Sequence, residues 1–211
     1  MKNKLIRYAI IAVVGSFILY HSVYLEKLSA VRAAAAKETT FDAAAFAQTF
    51  WNDALPAQLP EAVNLSELIV QLESEPEQAF AAHSHALGIG NIRYFLVQGE
   101  GEVSSISENH VIIRFDQGSV QLETEFVYGN AVRDAVGTID ISDFSNTMDL
   151  NRVSEEVNRI IRTEVIPPFR EKVKEGDQLA FAGALELNQK FLQLEQVEII
   201  PVSLKIITLN P

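Results

Sequence analysis

The chain has 211 residues, of which 48% are hydrophobic and 21% charged, a composition that suits a folded domain with an appendage and excludes collagen-like or wholly disordered chains. It contains no cysteine, which excludes disulfides, a thiolate zinc site, a cysteine nucleophile and a lipidated cysteine within these residues. The net charge is −11, and it reaches −14 over residues 25–211 because Lys2, Lys4 and Arg7 supply three positive charges; such a surface repels phosphates, so no nucleic-acid partner is expected.

The N-terminal stretch predicts a membrane segment. Residues 5–24 are apolar apart from Arg7 and a few polar side chains such as His21, and a helix of this length spans roughly 30 Å, which is enough to cross a bilayer. Basic residues precede the stretch, which favours a cytoplasmic N-terminus. We expect residues 1–24 to be an uncleaved single-pass anchor that places the rest on the periplasmic side of the inner membrane. A cleaved signal peptide is the alternative, although small residues are missing where cleavage is expected.

Residues 25–90 predict a helical N-terminal region. Alanine-rich sequence favours a helix that continues out of the membrane. An apolar stripe formed by Phe46, Phe50, Trp51 and Leu55 then predicts a helix that packs into a core.

Two cap signals and a pair of glycines divide the rest of this region. Asn64 precedes Glu67 by three residues, and Ser74 precedes Glu77 by three, so each predicts the start of a further helix. The second of these helices is expected to end near the glycines at positions 88 and 90.

Residues 91–211 predict a small β-barrel. Alternating apolar stretches indicate strands, and the turn at residues 116–118 predicts a hairpin. Gly99 and Gly101 suit a bulge or a sharp bend in the first strand. A helix is expected over residues 151–173, with a break near the prolines at 167 and 168. The later strands are expected over residues 178–187, 191–200 and 202–207. This order predicts an α+β fold: N-terminal helices followed by a small OB-like antiparallel β-barrel with an inserted helix.

Signals for catalysis or for a metal are weak. His83 and His85 lie at the end of a predicted helix, where side chains two residues apart diverge, so no metal site is expected. No phosphate-binding loop follows Gly99, and no nucleophile elbow is present. No catalytic residue, cofactor or metal is therefore assigned. Acidic residues are plentiful, so a hydrolase that uses paired carboxylates stays open as the least favoured hypothesis.

The densest polar cluster lies in residues 129–146. It combines amide, guanidinium and carboxylate groups with small and apolar residues, and Tyr128 precedes it. A guanidinium can fork onto a carboxylate or onto a pair of sugar hydroxyls. A structural role is the favoured alternative, because an arginine in such a segment can pair with a neighbouring aspartate and an asparagine can cap a turn. The candidate ligand- or partner-binding residues are Tyr128, Asn130, Arg133, Asp134, Asp143 and Asn146.

The same segment carries a family resemblance. The positions that carry it are Gly129, Ala131, Arg133, Asp134, Ala135, Gly137, Asp143, Phe144, Asn146 and Asn158. With these residues the chain resembles a bacterial family of predicted periplasmic lipoproteins of unknown function, domain-of-unknown-function family 2291, over residues 38–205. The family commonly carries a lipidated cysteine that this chain lacks, so a transmembrane anchor is expected to replace it.

The resemblance implies export but no activity, so no catalytic residue carries over. Members are often encoded beside sugar ABC transporters, which implies an accessory role in carbohydrate uptake. Three hypotheses follow. The first is a membrane-anchored binding or adaptor module that acts with a transporter or another envelope protein. The second is a sugar-binding protein that uses the barrel groove near Tyr128, Arg133 and Asp143. Tyr128 and Phe144 would form its aromatic platform. The third is the hydrolase, with Asp134 and Asp143 as its carboxylates.

Overall fold

A computed structural model describes residues 41–207, together with the single residues 8, 13, 14, 17 and 27. The chain divides into two compact units, residues 1–41 and residues 42–211. Most of the expected membrane segment at residues 5–24 lies outside the described residues. None of the helices within the described part is both long enough and apolar enough to cross a bilayer.

Five strands of the second unit close into a barrel. The first three form a meander, the last two pair with each other, and closure comes from pairing of the first strand with the fourth. The third and fifth barrel strands also pair, and they run parallel to each other. Every other pairing in the barrel is antiparallel. In chain order, two short strands preceding the barrel included, the strands are β1 Val63–Asn64, β2 Ser84–His85, β3 Ile92–Ile106, β4 His110–Phe115, β5 Gly118–Glu123, β6 Gln178–Asn188 and β7 Val197–Ile207.

The barrel order is β3-β4-β5-β7-β6 and back to β3. This is the OB-like α+β architecture predicted from the sequence, with a helical insertion between the third and fourth barrel strands. The interior is filled by inward-facing aliphatic side chains such as Val103, Ile113, Leu122, Leu185 and Ile199, all of which are fully buried.

The described helices of the second unit lie before the barrel and within the insertion. In chain order they are α1 Ala43–Thr49, a π-helical turn Phe50–Ala54, α2 Leu55–Gln58, a 3-10 turn Leu59–Glu61, α3 Leu65–Ser74, α4 Pro76–His83, α5 Ala131–Ala135, a 3-10 turn Ile141–Asp143, α6 Thr147–Ile160, a π-helical turn Ile161–Val165 and α7 Ile166–Arg170. Helix α1 packs against α6, while α3 and α4 contribute apolar residues to the barrel core.

The first predicted helix cap is present and the second is not. Asn64 accepts hydrogen bonds from the backbone N–H groups of Ser66 and Glu67, and it begins α3 as expected. The prediction for Ser74 is wrong, because its hydroxyl donates back to Val70 O inside α3. Helix α4 begins instead at Pro76, a residue whose fixed φ suits the first helical position.

Helix α4 ends before the expected glycines. Its last residue is His83, and the next two residues pair with β3 as the short strand β2. Pairing of backbone groups with the sheet edge replaces the last turn of helix that the sequence pattern suggests.

The glycines of the first barrel strand have a packing role rather than forming a bulge. The register of β3 against β4 shifts between Val103 and Ser105, not at the glycines. A Cβ at Gly101 would lie 2.5 Å from the carbonyl oxygen of Arg114 and 2.6 Å from Ile113 Cγ2. Only glycine therefore permits this approach of β3 to β4.

The helix predicted over residues 151–173 begins earlier and ends earlier. Asn146 caps it and Thr147 begins it. The two prolines do not break it, because they lie in the first turn of α7, which directly follows the π-helical turn. Helix α7 ends at Arg170. The first half of the strand expected over residues 191–200 is a loop, residues 191–196. Its second half and the strand expected over residues 202–207 form one strand, β7, which continues through Pro201 with a register shift opposite Ala182 and Gly183.

Candidate functional site

Segment 129–146 places a buried ion pair between the barrel and α6. Arg133 and Asp134 are 5% and 3% exposed, and Arg133 Nε donates to Asp134 Oδ1 at 2.6 Å. Arg133 Nη1 donates to Ser154 Oγ at 2.8 Å and to Leu150 O at 3.3 Å. The guanidinium therefore ties α5 to α6 inside the fold.

The other oxygen of this carboxylate continues the network towards the barrel. Asn130 Nδ2 donates to Asp134 Oδ2 at 2.6 Å, and the hydroxyl of Tyr94 on β3 donates to Asn130 Oδ1 at 3.3 Å. Burial is the main cause that raises the pKa of Tyr94, with a smaller contribution from the nearby charge of Glu186. The phenol is therefore held neutral as a hydrogen-bond donor.

Two more of the candidate residues accept backbone hydrogen bonds at the beginning of helical elements. Asp143 Oδ2 accepts from the backbone N–H of Asp140 at 3.1 Å, within the exposed 3-10 turn. Asn146 Oδ1 accepts from the backbone N–H of Asp149 at 2.9 Å, and its amide donates to the Asp149 carboxylate at 2.9 Å. Asp140 also accepts hydrogen bonds from Ser142, and these lower its pKa.

Phe144, which was expected to form an aromatic platform with Tyr128, packs elsewhere. Phe144 packs against Phe46 of α1, with ring centroids 5.3 Å apart. The structure therefore does not bring Phe144 and Tyr128 into a common cleft. Tyr128 is 70% exposed.

The backbone on either side of Tyr128 is fixed by α6 and the turn that follows it. Asn158, which is buried, donates to Gly129 O at 2.8 Å. The guanidinium of Arg162 donates to Val127 O. The exposed tyrosine thus sits on a short piece of chain that is held on both sides.

A cleft of about 530 Å³ opens beneath this piece of chain, on the outside of β5, β6 and β7. Tyr128 and Asn130 line it, so the structure brings these two predicted residues together there. Arg133, Asp134 and Asp143 are not among its lining residues. The cleft is lined by Glu123, Phe126, Tyr128, Gly129, Asn130, Ala131, Ala184, Glu186, Glu198 and Ile200.

Three carboxylates crowd the floor of this cleft. Burial raises the pKa of Glu123, and the charge of Glu198 raises it further, against lowering contributions from His110 and from the backbone N–H of Phe126. Burial and Glu198 also raise the pKa of Glu186. Glu123 Oε2 is buried and has no hydrogen-bond partner in the part of the chain that the structure describes. The cleft thus gathers three acidic side chains, and His110 offsets the charge of Glu123 only in part.

Sequence reasoning missed these three glutamates. Glu198 pairs with Gln121 across the parallel β5–β7 junction. Leu185, which precedes Glu186, pairs with Ile199, which follows Glu198. Both glutamates alternate with buried residues, which is the available signal that they face outward. Only the strand pairing brings them together, and that pairing is not readable from one sequence.

The two histidines have separate surroundings. His83 Nε2 lies 3.1 Å from Gln71 Oε1 on α3. His85 lies in β2 beside Gly137, whose backbone has φ +71°, and a Cβ there would lie 2.6 Å from the imidazole ring. Within the described residues, no group of three or more histidine and carboxylate side chains is placed to hold a metal ion.

Comparison with known proteins identifies the family. A family model described as a predicted periplasmic lipoprotein, domain-of-unknown-function family 2291, matches residues 13–205. The chain belongs to this family. Members of family 2291 are assigned to the periplasm, and the description implies membrane association through a lipid, whereas none of the 211 residues here is a cysteine.

A solved structure supports the fold of this family member. The crystal structure of an OB-fold protein from Thermotoga maritima, at 1.90 Å resolution, superposes with a TM-score of 0.72 and 24% sequence identity. The match covers 80% of this chain and 99% of that chain. At this identity the likeness establishes the fold alone. Comparison with curated proteins finds no match.

Proposed function

We propose that this protein is a periplasmic binding module that takes a small ligand carrying a positively charged amine into the cleft beside Tyr128. Residues 5–24 hold it at the inner membrane as a single-pass anchor. The observation that carries the proposal is the set of three carboxylates in one cleft, with a buried oxygen of Glu123 that has no hydrogen-bond partner among the described residues.

The electrostatics of the cleft favour a cation. The pKa values of Glu123 and Glu186 are both raised from the ordinary value of glutamate, first by partial burial and then by the charge of Glu198. A bound ammonium group removes this penalty, since an opposite charge nearby stabilises the ionised carboxylates. It also supplies a hydrogen-bond donor to Glu123 Oε2, which has none in the described part of the chain. A ligand of this kind is therefore bound more tightly than a neutral analogue of the same shape.

The aromatic rim suits the rest of such a ligand. Tyr128 and Phe126 are 70% and 54% exposed at the cleft mouth. An aromatic face attracts a cation through its quadrupole and packs against the apolar face of a sugar or an alkyl chain. Because α6 and the adjoining turn fix the backbone on both sides of Tyr128, the rim is preorganised, which reduces the ordering cost of binding.

The remaining candidate residues are proposed to support the cleft rather than to touch the ligand. Asn130 lies on the cleft wall, and both ends of its amide are already engaged by Tyr94 and Asp134. Arg133 and Asp134 fix α5 behind that wall. Asp143 and Asn146 begin the next helical elements, which positions α6.

A neutral sugar is the second candidate ligand. Carboxylates beside an exposed aromatic ring can also bind hydroxyl groups, and this arrangement is present at Tyr128 even though Phe144 packs elsewhere. An accessory role beside a sugar transporter is compatible with either ligand and stays a prediction.

The test compares two ligands that carry an ammonium group with a neutral sugar. The melting temperature of the full chain, purified in detergent, is measured with glucosamine, with glucose and with spermidine. A ligand present at a hundred times its Kd stabilises the folded state by about 2.7 kcal/mol. We expect glucosamine and spermidine to raise the melting temperature and glucose to have a much smaller effect.

Matched variants locate the effect. Glu186→Gln is expected to weaken the response to the amines, whereas Glu155→Gln, on the exposed face of α6, leaves it unchanged. Equal shifts with glucose and glucosamine would replace the amine proposal by the neutral-sugar candidate. An amine response that Glu186→Gln leaves intact would show that the cleft is not the binding site.

A further inference from the structure

The second half of β7 has an edge without a strand beside it. On one side β7 pairs with β6 over residues 199–207, and on the other side it pairs with β5 over residues 197–199. In the part of the chain that the structure describes, the edge of β7 that faces away from β6 therefore has no neighbouring strand beyond residue 199. An unpaired edge carries a row of backbone N–H and C=O groups that can pair with another chain.

A groove of about 640 Å³ runs along this edge. It is lined by five consecutive residues of β7, 202–206, and by Val165, Pro168 and Phe169 from the π-helical turn and α7. Successive side chains of a strand point to opposite faces, so a groove lined by five of them in a row faces the edge of the strand and not one face of the sheet. In the antiparallel pair with β6, alternate residues turn their backbone groups away from β6. The groove therefore presents unpaired backbone groups beside apolar side chains.

The charged side chains of the groove favour an occupant that carries carboxylates. Lys172, Lys205 and Glu164 line it, so its net charge is +2 − 1 = +1, whereas residues 25–211 carry −14. None of these three side chains forms an ion pair with another described residue. Two ammonium groups are therefore available to an acidic partner, and such complementary charges help to select it.

The shape of the groove favours one extended segment over a second copy of the chain. Neighbouring strands lie about 4.7–4.9 Å apart, so a segment beside β7 occupies the space between β7 and the helical wall. If β7 of a second copy lay there, β6 of that copy would have to take the place of the π-helical turn and α7 of the first. A single segment has no strand behind it and avoids this clash.

We propose that this groove binds an extended segment of a partner polypeptide as an additional strand beside β7, with acidic side chains of the segment at Lys172 and Lys205. Residues 202–206 span about 17 Å, so four or five residues of the segment pair with them. Backbone hydrogen bonds supply affinity, and the apolar wall contacts every second side chain. The groove is a different surface from the ligand cleft, and the inference does not depend on that cleft.

The experiment uses a fluorescein-labelled peptide of sequence Asp-Val-Thr-Val-Thr-Val-Asp, whose binding to the full chain in detergent is followed by fluorescence anisotropy. Two further versions carry backbone N-methyl groups, either on the valines or on the threonines. Beside β7 only one of these alternating sets donates to the strand. We expect one N-methylated version to bind at least about tenfold more weakly than the parent peptide and the other to keep most of its affinity.

Charge and location are tested separately. An analogue with lysine in place of aspartate is expected to bind several-fold more weakly. Lys205→Glu is expected to weaken binding of the acidic peptide about fivefold, whereas Lys190→Glu, which changes an exposed lysine outside the groove, leaves it unchanged. Hydrogen exchange followed by nuclear magnetic resonance is expected to slow at alternate amides of residues 202–207 when the acidic peptide binds.

Four outcomes would overturn the proposal. The first is the absence of binding by the acidic peptide. The second is equal affinity of the two N-methylated versions, which would mean that the backbone does not pair with β7. The third is equal affinity of the acidic and the lysine peptides. The fourth is self-association of the chain in sedimentation experiments that the acidic peptide reverses, which would assign the edge to contact between copies of the chain.

Discussion

Replacing Arg133 tests whether segment 129–146 is a structural support. We expect Arg133→Ala to lower the free energy of unfolding by about 3–5 kcal/mol, because it leaves the Asp134 carboxylate buried without its cation. The structure sets this magnitude. Both side chains are at most 5% exposed, and the guanidinium makes hydrogen bonds to Asp134, Ser154 and Leu150.

The size of the loss depends on the stranded charge and not only on the lost contacts. Asn130 still donates to Asp134 in the variant, which keeps the expected loss towards the lower end. The double variant Arg133→Met with Asp134→Leu removes both charges at similar volume. It is expected to recover part of the loss, since buried ion pairs are often replaced by apolar side chains at little net cost.

Urea unfolding followed by circular dichroism measures these differences. Arg114→Ala is the matched control, because its ion pair with Glu102 has a similar distance, 2.9 Å, but side chains that are 62% and 42% exposed. Exposed pairs contribute roughly 0–1 kcal/mol. If Arg133→Ala proves as mild as the control while binding of an amine ligand is lost, Arg133 is a ligand contact and the structural interpretation is refuted.

Three further predictions concern the rim, the barrel and the cleft. Asn158→Ala is expected to cost about 1–3 kcal/mol by removing a buried side chain's bond to the rim backbone, and to weaken amine binding; calorimetric titration and urea unfolding check both effects. Gly101→Ala is expected to cost about 1–3 kcal/mol through overpacking against the Arg114 carbonyl, and a melting temperature within a degree of wild type would contradict this. The folded-state pKa values of Glu123 and Glu186 are raised, so their ionised forms oppose folding at neutral pH and the penalty is relieved as the pH falls through those pKa values towards the ordinary range of glutamate. Melting curves should therefore show a smaller gain on acidification for Glu186→Gln than for wild type, and equal gains would exclude this cause.

The fold could be predicted because its signals are local and ordered along the chain. Alternating strands, a hairpin turn at 116–118 and a helix between the third and fourth barrel strands together specify the OB order, and each is visible in the sequence. The boundaries that differ were decided by tertiary contacts. Helix α4 ends early because residues 84 and 85 pair with β3, and β7 continues through Pro201 because its register shift accommodates the residue opposite β6.

The cleft could be predicted only in part. Tyr128 adjoins the dense polar segment 129–146 and Asn130 lies within it, so the sequence predicts both, yet most of that segment lies inside the fold or in turns. Glu123, Glu186 and Glu198 are separated by up to 75 positions and meet only because β5, β6 and β7 are neighbours in the closed barrel. A single sequence shows that each faces outward but not that the three share one cleft.

The most direct test of the central claim is a nuclear magnetic resonance titration of the full chain in detergent with glucosamine, with glucose as the neutral comparison. The account predicts amide shifts confined to residues 123–131, 184–186 and 198–200, with glucosamine effective at lower concentration than glucose. Shifts centred on residues 133–146 instead, or no shifts with either compound at concentrations that saturate weak sites, would contradict it.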